Sequence, residues 1–295
     1  MVANERGQLL LVGGIAIAIV VFSTILFAHS LAVTDGITTT GSANTIERSA
    51  DREASVERDF GRLAAQTRGD DLDGFEARYE DALQNYTRTH NRVVGGSGGV
   101  YLNAKLNETA SLGTEVNQTA TPAEKFKKPS GGGGSKWDLV NDSTRVAVFN
   151  VTYADLNGVG NPTTIVVENT TDRWTMTLDG TPPGKQKEIL VNGVSQCSNK
   201  GTAYVDLLAG TCVINGTTGT YPTFTSELEG PYNVTIKHGA KSDVRYRFAA
   251  IGTFPSTNYG SGDTAPYPVV PAIDVTYDTP SASYNRTVLV EVDDG

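Results

Sequence analysis

Histidine, cysteine and basic charge are all scarce in this chain of 295 residues. Its three histidines, His29, His90 and His238, stand far apart, and none shares a local motif with Cys, Asp or Glu. No Gly-x-Ser-x-Gly, His-Glu-x-x-His or EF-hand pattern occurs, so the compact signatures of acyl hydrolases, zinc peptidases and calcium loops are excluded. The glycine-rich stretch 95–99 is not followed by Gly-Lys-Ser/Thr and is no phosphate loop. Asp70-Asp71-Leu72-Asp73 lacks the glycine and terminal glutamate of a calcium loop, and carboxylates gather at helix starts for the dipole alone. These absences predict no catalytic residue, no metal site and no cofactor. A secreted β-sandwich hydrolase would need carboxylates that converge from distant positions.

Basic residues number 24 against 33 acidic ones, a net charge of −9. Binding a phosphate backbone requires clustered Lys and Arg, so nucleic acid is not an expected partner. The two cysteines, Cys197 and Cys212, have no His or Cys companions at zinc-ligand spacing. In an oxidising compartment they are expected to form a disulfide closing a short loop, worth about 3 kcal/mol; buried free thiols are the alternative.

What the chain does have is one long uncharged run. Glu5-Arg6 precede it, it extends from Gly7 to Thr34, and the next formal charge is Asp35. A bilayer core of about 30 Å needs about 20 apolar residues in a helix, and Leu9 to Ala28 supplies them in Leu, Ile, Val, Ala and Phe. Three readings compete: a cleaved secretory signal, a plain signal-anchor, and a leader cut before the apolar run. Arg6 on one side, with no Lys or Arg on the other until Arg48, orients the C-terminal portion of the chain to the outside.

Asn-x-Ser/Thr sequons agree with that orientation. They lie at Asn85, Asn107, Asn117, Asn141, Asn150, Asn169, Asn215, Asn233 and Asn285, all beyond the apolar run. Chance predicts roughly three acceptors of this pattern at this composition. The excess places the remainder of the chain outside the cell as a candidate glycoprotein.

Arg6-Gly7-Gln8-Leu9-Leu10-Leu11-Val12-Gly13 resembles the opening of haloarchaeal type IV pilin-like and archaellin-like surface proteins with a class III signal peptide. The resemblance implies cleavage between Gly7 and Gln8 by a prepilin peptidase, with the apolar segment kept on the mature protein. Val12 occupies the fifth mature position, where many type IV pilins carry Glu, so an assembly rule built on that Glu cannot operate here. The resemblance further implies partners among other pilin-like subunits or copies of the chain itself. Gly13 and Gly14 would let neighbouring apolar helices approach closely.

Periodicity gives the organisation of the chain. Residues 1–7 read as a cytoplasmic leader and 8–34 as a transmembrane or filament-core helix. Residues 35–94 read as an amphipathic helical region. Asn44 and Glu47 have capping-box spacing. Ile46, Val56, Phe60 and Leu63 share one stripe, and Leu72, Phe75, Tyr79, Leu83 and Tyr86 form a second. Residues 95–136 read as a Gly/Thr/Pro-rich linker in which Val100-Tyr101-Leu102 with Lys105-Leu106 suggests a short strand, and whose end, Gly131 to Ser135, has the composition of a flexible tether, native or introduced. From 137 to 295 the period changes to two, with β-branched and aromatic residues separated by turn residues such as Asn192-Gly193.

The expected fold class is therefore α+β: a long apolar N-terminal helix, amphipathic helices, then an antiparallel β-sandwich or Greek-key domain. The aromatics Tyr246, Phe248, Phe254, Tyr259, Tyr267 and Tyr277 invite a carbohydrate- or partner-binding reading, against ordinary sheet packing. The expected function is structural: a cell-surface, pilin-like subunit acting in adhesion, held in a membrane or filament and meeting a surface or glycan ligand. The alternative is a monomeric membrane-anchored binding glycoprotein.

Overall fold

The computed structural model describes residues 43–68, 74–95, 100–131, 135–156, 161–181, 186–279 and 282–292. Two helices open it, α1 (Ala43–Arg68) and α2 (Phe75–His90), the second running into a π-turn at Asn91–Gly95. The i, i+4 spacing of Val56, Phe60 and Ala64 puts them on one buried face of α1, and Phe75, Tyr79, Leu83 and Thr87 do the same on α2. Each fully buried aromatic here contributes about 1.5–3 kcal/mol. The Tyr79 hydroxyl donates to the Phe60 carbonyl at 3.0 Å, and the Tyr86 hydroxyl to the Asp59 carboxylate at 2.9 Å, so the helices are also joined by polar contacts.

The strands come in the order β1 (Tyr101–Leu106), β2 (Leu112–Gln118), β3 (Glu124–Lys125), β4 (Lys136–Leu156), β5 (Thr163–Glu168), β6 (Arg173–Thr181), β7 (Gln186–Val191), β8 (Val194–Asn199), β9 (Ala203–Asp206), β10 (Thr211–Ile214) and β11 (Thr217–Thr220). A single-turn helix α3 (Phe224–Glu227) precedes β12 (Tyr232–Lys237), β13 (Ser242–Thr253), β14 (Ala265–Val270), β15 (Ala272–Thr279) and β16 (Ala282–Leu289).

The three-stranded antiparallel sheet β1-β15-β16 is backed by the helices. Its register sets Leu102 opposite Tyr277, Ala104 opposite Val275 and Leu106 opposite Ile273. These six side chains belong to one apolar cluster with Phe60, Phe75, Tyr79 and Leu83. Arg68, 4% exposed at the end of α1, donates to the Val269 carbonyl at 2.8 Å and lies 5.4 Å from the Phe75 ring centre. Its guanidinium thereby ties the helices to β14.

The larger sheet runs β11-β10-β9-β4-β12-β5-β6-β7-β8, with β13 added alongside β4 and β2 beyond it. The 21-residue β4 is its hinge. Residues 136–143 pair with β12, residues 141–156 with β13, and 150–153 also with β9. Asp142 between the two halves has a positive φ of 50°, and the pairing register shifts on either side of it. Such irregularities turn a strand from one sheet direction to another. The enclosed core holds Trp137, Phe149, Trp174, Met176, Phe224 and Phe248 among its largest side chains.

This architecture corrects the expected fold class. The structure is mostly β, 52% strand and 20% helix, in large antiparallel sheets, and no long apolar helix occurs among the described residues. Among those residues no helix is long and apolar enough to cross a membrane. The segment 8–34, with Gly7, Gln8, Gly13 and Gly14, lies outside the described residues. The segment 95–136 also differs from its reading as a linker, because β1, β2 and β3 all fall within it. The short strand suggested at Val100-Tyr101-Leu102 and Lys105-Leu106 is β1, which pairs with β15, whereas β2 and β3 show little apolar alternation in sequence and are held by pairing with β13. Residues 132–134 of the Gly-rich stretch lie outside the described residues; β3 before it and β4 after it both pair with β13 and so belong to one sheet. Asn44 falls inside α1, past the position a capping residue occupies.

Candidate functional site

A shallow groove of about 700 Å³ lies on the face of the large sheet turned away from its core. Its floor is set by strand register. Across β13, β4, β9 and β10, one row reads Arg245, Thr152, Tyr204, Val213. The neighbouring row, starting on β2, reads Asn117, Arg247, Asn150, Asp206, Thr211. Directly opposed residues on one face bring their side chains together. The alternate positions Val151, Val205, Tyr246 and Phe248 point into the core, which is why period-two patterning yields a polar face here.

Tyr204 is 58% exposed, one of the few large side chains left in water. The Arg245 Nε donates to the Ala120 carbonyl at 2.9 Å, which steadies the guanidinium at the groove wall. The Asp206 carboxylate accepts from the backbone N–H groups of Leu208 and Ala209, each at 2.9 Å, so it caps the turn after β9. In the row of Arg247 the floor strands are interior: β13 lies between β2 and β4, β4 between β13 and β9, and β9 between β4 and β10. Backbone donors and acceptors are therefore engaged in the ladder, and recognition here falls to side chains.

The aromatics singled out in the sequence are placed elsewhere. Tyr246, Phe248, Tyr259, Tyr267 and Tyr277 are buried, and Phe254 packs against the same core as Phe248 and Tyr259. Burial pushes the phenols of Tyr246 and Tyr259 well above the ordinary range and that of Tyr267 up to about 12. Tyr204, the exposed one, carries no sequence signal beyond its alternation with Ala203 and Val205.

Cys197 and Cys212 are bonded, with Cα atoms 6.3 Å apart, inside the range a disulfide requires. The bond links β8, at one end of the strand path, to β10, near the other, so it closes the large sheet on itself. Gly219 on β11 makes this approach feasible, since a Cβ there would lie 2.3 Å from the Gln196 carbonyl oxygen and 2.8 Å from the Cys197 sulfur.

The sequon asparagines do not converge. Asn85, Asn117, Asn215 and Asn285 are exposed, while Asn107, Asn141, Asn150, Asn169 and Asn233 are half-buried. Asn107 Nδ2 donates to both Asp274 carboxylate oxygens at 3.1 Å, and Asn169 Nδ2 donates to the Glu229 carbonyl at 3.0 Å. Ser143, third residue of the Asn141 sequon, is fully buried.

Sequence reasoning also missed Lys187. It is 4% exposed, its ammonium donates to the carbonyls of Ala154 and Gly201, and it sits 5.3 Å from the Tyr153 ring centre. Burial pulls its pKa below the ordinary lysine range, with Asp155 opposing. Held by two carbonyls, the group acts as a clasp between β4 and the turn before β9. Among the described residues no group of three or more His, Cys, Asp or Glu side chains is placed to hold a metal ion. The Asp70–Asp73 acidic run lies outside them. No family model matches the chain, and no curated protein and no solved structure matches it.

Proposed function

We propose that this chain is a pilin-like cell-surface protein, a structural subunit that acts in adhesion. In this reading its apolar N-terminal segment holds it in the membrane or in a filament, and its β-rich body faces outward. The observation that carries the reading is the order of parts. Arg6-Gly7-Gln8 opens an uncharged run that ends at Thr34, and α1 begins at Ala43. The buried face of α1 is one wall of the cluster that holds β1, β15 and β16. A pull on the N-terminal segment is thus transmitted to the β body through packed side chains. A load-transmitting surface subunit needs that coupling. The disulfide across the ends of the large sheet supports an oxidising exterior, as do the exposed sequons.

Mass spectrometry of the chain taken from its own cell surface tests the reading. Gln8 is expected as the first residue. An intact Met1, or a start near Leu31, overturns the processing by a prepilin peptidase and favours the monomeric anchored glycoprotein. Filaments provide the second test: replacing Gly13 and Gly14 together with Leu is expected to abolish incorporation while the β body stays folded.

A further inference from the structure

We propose that the groove between Tyr204 and Arg245 binds acidic saccharides. This deepens the adhesive reading above and rests on it only for where the ligand is met. Three observations lead to this chemistry. First, the groove's volume of about 700 Å³ falls in the range of small-ligand sites, about 300–1,000 Å³. Second, Tyr204 offers an exposed flat apolar face bordered by short polar side chains, Thr152 and Asn150. A sugar ring presents an apolar C–H face and a rim of hydroxyls, which matches that pairing. Third, two arginines, Arg245 and Arg247, stand two residues apart on the same face of β13 in a chain of net charge −9. The Asp206 carboxylate in the same row as Arg247 is engaged by the backbone N–H groups of Leu208 and Ala209. Guanidinium forks pair with carboxylates in a planar, two-bond geometry, so a sugar carrying a carboxylate is favoured over a neutral one.

An acidic peptide is the competing occupant. Peptides that dock on sheets gain much of their affinity by adding a strand to an open edge. In the row of Arg247, Asn150 and Asp206 each floor strand is paired on both sides, and at Arg245 the outer side of β13 is the one-residue gap between its pairing with β2 and with β3, so no strand-length edge is open. Recognition by side chains alone suits a saccharide.

The test uses the full chain in detergent, made in a host without N-glycosylation, because a glycan on Asn117 or Asn150, both in the row that holds Arg247, would reach into the same groove. Titration calorimetry compares oligogalacturonate, maltohexaose and poly-glutamate. Oligogalacturonate is expected to bind, with maltohexaose at least about tenfold weaker. Tyr204→Thr replaces one strand-favouring residue with another and is expected to weaken oligogalacturonate about tenfold or more, as is Arg245→Gln, with the thermal midpoint unchanged in both. Absence of oligogalacturonate binding overturns the proposal. So does poly-glutamate binding of equal strength that ignores Tyr204→Thr, which would make the groove a general anion surface. Neither result bears on the N-terminal processing experiment, so the two readings fail separately.

Discussion

Gly61 of α1 lies so close to Glu291 that a Cβ on the glycine would sit 2.4 Å from the Glu291 carbonyl oxygen. The C-terminal segment is thereby seated across the helix, with Val290 and Val292 buried on either side of the contact and Val290 N–H bonded to the Pro271 carbonyl at 2.8 Å. Arg286 of β16 adds an ion pair to Glu57, one turn earlier on α1. The two ends of the described chain are packed together, and the helix-backed sheet depends on both.

The first prediction uses that contact. In an open helix, Gly→Ala stabilises by about 1 kcal/mol through propensity alone. At Gly61 the obstacle is backbone, which cannot rotate away, and overpacking typically costs about 1–3 kcal/mol. Gly61→Ala is expected to lower the urea midpoint without changing the slope. A raised midpoint would show that the C-terminal segment yields freely and is not part of the core.

The second prediction concerns the disulfide. Replacing Cys197 and Cys212 together with Ser is expected to cost about 3 kcal/mol, as chain-entropy arguments give for a loop of this size. Reduction of the native chain should lower the urea midpoint to the same value. If the double replacement costs nothing, contacts between β8 and β11 suffice to close the large sheet.

How far the sequence speaks for this fold varies by element. The stripe Phe75, Tyr79, Leu83 is legible because three- and four-residue spacing has one structural meaning, and it is buried on α2. Thr163 to Glu168 is equally plain as a strand, being β-branched and bounded by turn residues. The strands β8 and β11 are not legible, because Ser, Asn, Thr and Gly dominate them and pairing with neighbouring strands decides their structure; β10 is β-branched but only four residues long. Tyr204 is silent for the same reason. Its place opposite Thr152, and two strands from Arg245, comes from non-local register, to which a linear pattern gives no access.

The third prediction separates the nine sequons. An N-linked glycan replaces one hydrogen of the asparagine Nδ2. Asn107 uses that nitrogen on Asp274, whose carboxyl is held below its usual range by hydrogen bonds from Thr287 and Asn107. Asn169 uses it on the Glu229 carbonyl. Asn85, Asn117, Asn215 and Asn285 are exposed. Glycopeptide mapping of surface-derived protein is expected to find occupancy concentrated at these four and low at Asn107 and Asn169. Full occupancy at Asn107 in folded protein would contradict the Asp274 contact.

The fourth prediction is an alkaline limit to stability. Burial raises the phenols of Tyr79, Tyr86, Tyr153, Tyr221, Tyr246 and Tyr259 well above the ordinary value, and that of Tyr267 to about 12, against a partial lowering by Arg68. A phenol whose folded pKa exceeds its unfolded one contributes stability that is fully present below the unfolded value, about 10. As pH rises past that point the unfolded chain releases the proton first, and stability is lost until the folded phenol itself ionises. For Tyr267 the window runs from about 10 to about 12. Each such group steepens the loss by up to about 1.4 kcal/mol per pH unit, and several act together. Urea midpoints are therefore expected to hold steady from neutrality to about pH 9 and to fall sharply above about pH 10, with a smaller fall in Tyr267→Phe. Phenolate absorbance should rise together with unfolding. Absorbance that titrates with an ordinary phenol pKa while the chain stays folded would mean these tyrosines are open to solvent, and would undo the packing described for both cores.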